Sequence, residues 1–294
     1  MKRNPSQYTI FQKRIRRWFK AHQRDLPWRK TRNPYQITVS EFMLQQTQVD
    51  RVIPKYRSFL HTFPNWATLA NAPLHSVFKE WSGLGYNRRA KHLHQLAQIV
   101  QQEWNGVLPK SISQLQQLPG IGPYTARAIA VFAFGAHEAP RDTNIERVTR
   151  RYFYGERAVL KTTLEDAAQN ALPARDAYWW NHALMDFGAL VCTARRPSCM
   201  TCPLRSTCKA APHFLRGNSA TVSKRPQESF GRSLRQLRGL LVKELVQLGP
   251  QQRNQLIHAV LRQTTQNKER ILRALQDLTQ EGIVRAKGGI VEIA

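Results

Sequence analysis

The chain has 294 residues, 41% of them hydrophobic, enough for one large or two modest domains with their own cores. Lysine and arginine number 45 against 19 aspartate and glutamate, a formal charge of +26 that repels itself unless a polyanion uses it. Nucleic acid is the partner such a balance points to; with no lipidation motif and no long apolar run, an anionic membrane surface fits poorly.

Residues 1–7 are basic and expected to fray. From Tyr8 to His22 the residues Ile10, Phe11, Ile15, Trp18 and Phe19 recur at helical spacing, with Lys13, Arg14, Arg16, Arg17 and Lys20 between them. Arg24-Asp25-Leu26-Pro27-Trp28-Arg29 reads as a loop, in which Trp28 offers a stacking face and Arg29 a fork of donors. Val39–Asp50 reads as a helix with a lone acid, Glu41, in its first turn. Its apolar neighbours Met43 and Leu44 make it a candidate for a raised pKa, or else it complements the helix dipole. Further amphipathic helices are expected at Arg51–Phe63, Leu74–Trp81 and Ala90–Trp104. Gly83-Leu84-Gly85-Tyr86 makes a turn, followed by Arg88, Arg89 and Lys91, suited to phosphate contacts.

Ser111–Gln117 reads as a short helix and Thr125–Phe134 as a second. Between them Leu118-Pro119-Gly120-Ile121-Gly122-Pro123-Tyr124 forms a tight turn. Gly120 and Gly122 free the backbone for positive φ and close approach, and a helix N-terminus attracts anions, so the unit reads as a phosphate grip. Asp142 and Asn144 follow. Asn181–Leu190 is a helix carrying Asp186. Cys192, Cys199, Cys202 and Cys208 then give C-x6-C-x2-C-x5-C, whose spacing alone suits either zinc or an iron–sulfur cluster. The N-terminus lacks a signal peptide's apolar core, so a cytoplasmic, nucleoid-associated protein is expected, in which clustered cysteines are metal ligands rather than disulfides. After a polar linker, helical patterns around Leu234–Leu245, Leu256–Leu261 and Ile271–Leu278 lead into alternation about Gly288-Gly289, a hairpin signal. Three helices and a hairpin suggest a winged-helix module, with Lys268, Arg270 and Arg273 on its third helix.

Leu118–Ala126 with Arg141-Asp142-Thr143-Asn144 resembles the helix-hairpin-helix DNA glycosylases. Val39-Ser40-Glu41-Phe42-Met43-Leu44-Gln45-Gln46-Thr47-Gln48-Val49 and Trp81-Ser82-Gly83-Leu84-Gly85-Tyr86 resemble the MutY branch, the adenine glycosylases. The resemblance covers roughly residues 8–210. It implies a monofunctional glycosylase of base excision repair that flips a mismatched adenine, opposite 8-oxoguanine or G, out of double-stranded DNA and hydrolyses its N-glycosidic bond. It implies Glu41 as the acid protonating adenine, Asp142 as stabiliser of the sugar cation, and Asn144 and Tyr124 beside them. Trp28, Arg29 and Asp186 wall the base pocket. Gln46 and Tyr86 wedge into the helix, and Arg88, Arg89, Gly120 and Gly122 hold DNA. The four cysteines hold a [4Fe–4S] cluster. Thymine or uracil mismatch glycosylases, which share the tyrosine and aspartate, are the rival, and a non-catalytic DNA-binding protein is the other.

The expected fold is all-α: a two-lobed helix-hairpin-helix glycosylase with a cluster loop, plus a small α+β winged-helix-like C-terminal domain. The expected boundaries are 1–210 for the glycosylase region, 211–230 for the linker and 231–294 for the last domain. Within the first, a six-helix lobe covers about 25–137 and a cluster lobe takes 1–24 and 138–210. A monomer is expected. The chain departs from the MutY pattern in its last region, where a Nudix-like domain that recognises 8-oxoguanine is common in the family and a winged-helix pattern stands instead.

Overall fold

The computed structural model describes residues 5–219 and 228–294. Its helices in chain order are α1 (Pro5–His22), α2 (Pro34–Leu44), α3 (Val49–Thr62), α4 (Trp66–Ala70), α5 (Leu74–Trp81), α6 (Arg88–Glu103), α7 (Ile112–Leu115) and α8 (Pro123–Phe134). They continue with α9 (Thr143–Tyr154), α10 (Lys161–Asn170), α11 (Ala177–Leu190), α12 (Ala211–Leu215), α13 (Leu234–Leu248), α14 (Arg253–Leu261) and α15 (Lys268–Gln280). The strands are β1 (Gln251–Gln252), β2 (Val284–Lys287) and β3 (Ile290–Ile293).

Two compact units emerge. The first comprises 1–34, 110–116 and 121–224, and the second 35–109, 117–120 and 225–294. These bounds differ from the sequence-based lobes. Residues 25–34 join the first unit because the Pro27–Arg29 turn is tied to α11: Arg24 and Arg29 both bind Asp186, and the Tyr178 hydroxyl donates to Arg29 O at 2.9 Å.

In the first unit, α1 lays Phe11, Ile15, Trp18 and Phe19 against Ile145, Val148 and Tyr152 of α9 and Trp180, Leu184 and Phe187 of α11. Phe11 stacks on Tyr152 at 4.4 Å and meets the Trp180 ring edge-on at 5.4 Å. Burying each such ring stabilises by roughly 1.5–3 kcal/mol. Ile10, expected in the same apolar stripe, is exposed. Proline at the first position of α8 loses no hydrogen bond, and Gly135 (φ 73°) ends that helix in the left-handed region.

In the second unit, α3, α5 and α6 enclose Val52, Phe59, Val77, Trp81, Leu93 and Ala97. The helix expected over 39–50 breaks after Leu44: Gln46 takes φ 55°, and a new helix starts at Val49. The C-terminal segment runs α13, β1, α14, α15, β2, β3. Its antiparallel sheet has the order β1-β3-β2, with Val284 opposite Ile293 and Gln251 opposite Val291. That is the winged-helix arrangement. The two-residue β1 escaped the sequence reading because Gln-Gln carries no alternation to read. Gly289 closes the wing with φ 80°. The segment packs as part of its unit: α13 lies on α5, where His75 Nε2 pairs with Val246 O at 2.9 Å. Part of the expected linker is ordered as α12 and a short turn at Phe230–Arg232; residues 220–227 of it, and 1–4 of the expected frayed start, lie outside the described residues.

Candidate active site and DNA-binding elements

The two helices of the Gly-rich hairpin, α7 and α8, pack together. Only one of its glycines takes positive φ. Gly120 sits at φ 75°, and a Cβ there would lie 2.6 Å from the Phe42 ring and 2.9 Å from His92 Cβ. Gly122 is extended (φ −82°, ψ 177°) and caps α8; it is exposed, and a Cβ on it would meet nothing within 4 Å. One glycine is therefore required by close packing and the other keeps the N-terminus of α8 open, where an anion binds favourably. Tyr124 is half-buried in the first turn of α8.

Asp142 is the N-cap of α9. Its Oδ1 accepts from the amides of Asn144 at 2.7 Å and Ile145 at 3.1 Å, so the cap uses a single carboxylate oxygen. Asn144 is fixed from behind: Arg147 donates to Asn144 Oδ1 at 2.7 Å, to Gly188 O at 2.7 Å and to Cys192 O at 2.8 Å. Gly188 lets α11 approach here, since a Cβ would lie 2.5 Å from Asn144 Cβ. Sequence reading missed Arg147 and Gly188; a glycine inside an apolar helical run was the available signal.

Arg29 and Asp186 come together, and Trp28 lies beside Arg29 in the Pro27–Arg29 turn. Asp186 is 0% exposed. Its Oδ1 accepts from Arg24 Nε at 2.6 Å and an Arg29 nitrogen at 2.8 Å, and its Oδ2 accepts from Arg29 at 2.7 Å and the Arg24 amide at 3.1 Å. Burial pushes its pKa up, but the Arg29 hydrogen bonds and the Arg29 and Arg24 charges outweigh it and hold the carboxyl below its ordinary value. Both oxygens being occupied twice, Asp186 holds Arg29 in place and leaves no acceptor for an adenine amino group in this arrangement. Trp28 is buried, anchoring the turn. His182, overlooked in the sequence, stacks on Phe132 at 4.2 Å. Burial first, then Arg29, Arg32 and Arg24, push its pKa well down, so it is neutral. Its Nε2 and Arg29 Nε are buried with no hydrogen-bond partner among the described residues.

In the second unit, Glu41 is 5% exposed on α2, among Ser40, Phe42 and Met43. Gln46 is exposed and Tyr86 half-buried, and both sit in the left-handed region at φ 55° and 51°, uncommon for residues with a Cβ. Arg89 explains how. Expected at phosphates, Arg89 is instead buried: it donates to Phe42 O at 2.8 Å, Met43 O at 2.9 Å and Gln45 O at 2.5 Å. Its other terminal nitrogen donates to the Thr47 hydroxyl at 3.1 Å, Leu84 O at 3.2 Å and Gly85 O at 3.0 Å. Burial pulls its pKa down to about 10, which leaves it charged at neutral pH. One guanidinium thus holds the carbonyl preceding Gln46 and the carbonyl preceding Tyr86. Trp81 Nε1 also donates to Gly85 O, at 3.2 Å. Arg88 remains exposed, as phosphate binding requires. Lys91 is spent on Glu281 O.

Cys192, Cys199, Cys202 and Cys208 line one cavity with Val148, Arg151 and Phe187, and none is in a disulfide. Among the described residues no group of three or more His, Cys, Asp or Glu is gathered closely enough to hold a single metal ion. Four thiols around one cavity are a donor set that an iron–sulfur cluster takes. Arg151, buried in the same cavity, lies 3.6 Å from Cys192 Sγ and donates to Thr193 O and Ala194 O, a cation suited to a thiolate-ligated, negatively charged group. Burial raises the Cys202 thiol pKa to about 12 and that of Cys208 to about 11. The donor set and the cavity fit a cluster.

Comparison with known proteins accords with these elements. A family model described as HhH-GPD superfamily base excision DNA repair protein matches residues 39–174. An adenine DNA glycosylase of Mycolicibacterium smegmatis is 41% identical over 228 residues, 76% of this chain and 76% of its own length. One from Buchnera aphidicola is 42% identical over 209 residues, 68% of this chain; the match spans 58% of that relative's length. The solved structure of a thermostable thymine-DNA glycosylase superposes with a TM-score of 0.67 at 31% identity, covering 71% of this chain and 98% of that one. A trapped endonuclease III–DNA covalent intermediate, 22% identical with a TM-score of 0.65, shares the fold. The chain belongs to the adenine DNA glycosylases of the HhH-GPD superfamily.

Proposed function

We propose that the protein binds double-stranded DNA as a monomer and removes adenine mispaired with G or 8-oxoguanine by hydrolysis of its N-glycosidic bond. Adenine leaves poorly until protonated, and the sugar gains oxocarbenium character as it departs, so the reaction needs an acid at the base and a negative charge at the sugar. Glu41 is the acid. It gives its proton to the base as the C1′–N bond breaks, then takes one from the water whose oxygen bonds to C1′. Asp142 stabilises the sugar cation. Asn144, held by Arg147, orders the water. Arg29, fixed by Asp186, and neutral His182 meet the edge of the extruded base, which would satisfy two buried polar atoms that otherwise cost about 1–3 kcal/mol each. Gly120, Gly122 and Arg88 hold phosphates, and Gln46 and Tyr86 fill the gap the base leaves.

The observation that carries this reading is the cap at α9, where Asp142 spends Oδ1 on two amides and keeps Oδ2 outside the cap. Such a carboxylate is fixed in orientation with its second oxygen left outside the cap, the placement a cation stabiliser needs. The segment Leu118–Ala126 has no lysine, and Tyr124 stands where bifunctional relatives place one, so no Schiff base forms and an abasic site is the product. The four cysteines hold a [4Fe–4S] cluster that ties their loop to α9 and α11 and is not needed for hydrolysis. Among the described residues no helix is long and apolar enough to cross a membrane.

Asp142→Asn keeps the cap's acceptor oxygen and removes the charge. It should bind an A:G duplex as wild type does and release no adenine. Borohydride should trap neither protein on DNA. Covalent trapping of wild type at the yield of a lysine enzyme, or undiminished release by Asp142→Asn, would refute the mechanism.

A further inference from the structure

The C-terminal domain reaches the Tyr86 turn. Arg235, in the first turn of α13, donates to the Tyr86 hydroxyl, and its guanidinium stands 5.1 Å from the Tyr86 ring centroid. The same guanidinium stands 5.1 Å from the Phe230 ring. Arg89 contacts the Tyr86 ring as well, at 5.3 Å. The tyrosine is thus held by its backbone through Arg89 and by ring and hydroxyl through a residue about 150 positions away in sequence. Among the described residues Arg235 has no carboxylate within ion-pair distance, unlike its neighbour Arg238, which is neutralised by Glu281 through a forked pair with one arm at 2.9 Å. The domain carrying Arg235 is fixed to this unit by the His75–Val246 contact and by Lys91, which donates to Glu281 O. Gln46, Tyr86, Arg88, Arg235 and Arg238 line a single cleft of about 540 Å³.

We infer that the winged domain is a working part of the wedge: Arg235 is a positioning residue that sets the ring of Tyr86 for insertion into the duplex. The inference rests on the wedge assigned to Tyr86 under the proposed function. A half-buried tyrosine in a strained backbone conformation has ring freedom to lose, and inserting a ring that is already fixed avoids that cost at the moment the base pair opens. A planar guanidinium bonded to the hydroxyl fixes both the tilt and the depth of the ring. The ammonium of a lysine, a point charge with no fork, fixes neither.

The test uses the full chain and two duplexes, one with adenine paired to G and one with adenine facing an abasic gap that needs no wedge. Arg235→Ala should widen the preference for the gapped duplex in single-turnover adenine release by about tenfold, the size of one charged hydrogen bond with its stacking contact. Arg235→Lys should widen it nearly as far. In a Tyr86→Ala background, Arg235→Ala should add nothing, because the two residues act as one unit. A general folding defect lowers both rates alike, so an unmoved ratio overturns the inference, and so does a faster Arg235→Ala enzyme, which would make Arg235 a shield over Tyr86. Fluorescence of 2-aminopurine beside the mismatch reports unstacking without cleavage. If wild type unstacks the pair but releases no adenine, the proposed reaction fails while the Arg235 comparison is still read in fluorescence; if Arg235→Ala unstacks as well as wild type, the inference fails by itself.

Discussion

Replacing Arg89 by lysine should disable the wedge while leaving Glu41 and Asp142 in place. The guanidinium makes six hydrogen bonds, five of them to backbone carbonyls, from a position 8% exposed. The two terminal nitrogens share their N–H groups among six acceptors from the ends of a planar fork, and an ammonium, a single nitrogen with no fork, cannot reach both turns at once, so several of these acceptors lose their partner. Hydrogen bonds to a charged donor contribute about 1.5–3 kcal/mol each, but the vacated carbonyls of the two turns have access to water at their exposed side, so a net loss of about 2–3 kcal/mol is the reasonable sum. For a chain of this size that lowers the melting temperature by roughly 5–10 °C. Among these acceptors are the carbonyls of Gln45 and Gly85, which precede the residues at φ 55° and 51°; Gly85 O keeps Trp81 Nε1 as a donor, but the guanidinium that joins the two turns is gone. Each strained residue costs of order 1–3 kcal/mol and persists only because its surroundings over-determine it, so both turns should relax toward ordinary φ. The assay is thermal melting beside adenine release from paired and gapped duplexes at a temperature where the variant is folded. The account predicts a clear drop in melting temperature and a loss of at least tenfold confined to the paired duplex. A variant as stable as wild type, or equally impaired on both duplexes, would refute the reasoning.

Two further outcomes follow from the site. Asp186 has a folded-state pKa below its ordinary value, so its contribution is present above the unfolded value and is lost as pH falls through the folded one; neutral His182 adds loss of stability as pH drops below its ordinary value. Stability measured by urea melting should therefore fall from near-neutral to acid pH, and Asp186→Asn should flatten the acid end of that curve, whereas an unaltered curve would mean that the Arg24–Asp186–Arg29 group is not coupled to folding. Cys202→Ala should remove iron and the brown visible absorbance and lower solubility; a colourless wild-type protein with stoichiometric zinc would contradict the cluster.

The hairpin and the cysteine run were legible because each depends on residue type at short spacing, whereas Glu41 and Asp142 are marked as catalytic only by the resemblance to the glycosylase family. Gly-x-Gly before an apolar run, or cysteines a few positions apart, carry their chemistry locally. What was not legible depends on distant partners. Arg89 beside Arg88 looks like a phosphate ligand until the fold wraps the 42–47 and 83–85 segments around it. Asp186 reads as a base contact until Arg24 and Arg29, some 160 positions earlier, fill both of its oxygens. Gly122 looks like Gly120, yet only the latter packs against Phe42 and needs positive φ. The break after Leu44 hides inside a pattern that stays helical in residue type, since nothing in Gln45-Gln46-Thr47 signals a stop; the carbonyls of Phe42, Met43 and Gln45 turn instead to the distant Arg89. The contact of Arg235 with Tyr86 joins two segments whose spacing carries no pattern at all.

The most direct measurement is the identity of the released base. Wild-type protein would be incubated with duplexes carrying A opposite 8-oxoguanine, A opposite G and T opposite G, with free base separated by chromatography and abasic sites cut with alkali. The account predicts free adenine and alkali-labile cuts at A in the first two duplexes, none at T, and no cutting before alkali. Release of thymine alone, or tight binding with no base released from any duplex, would contradict it.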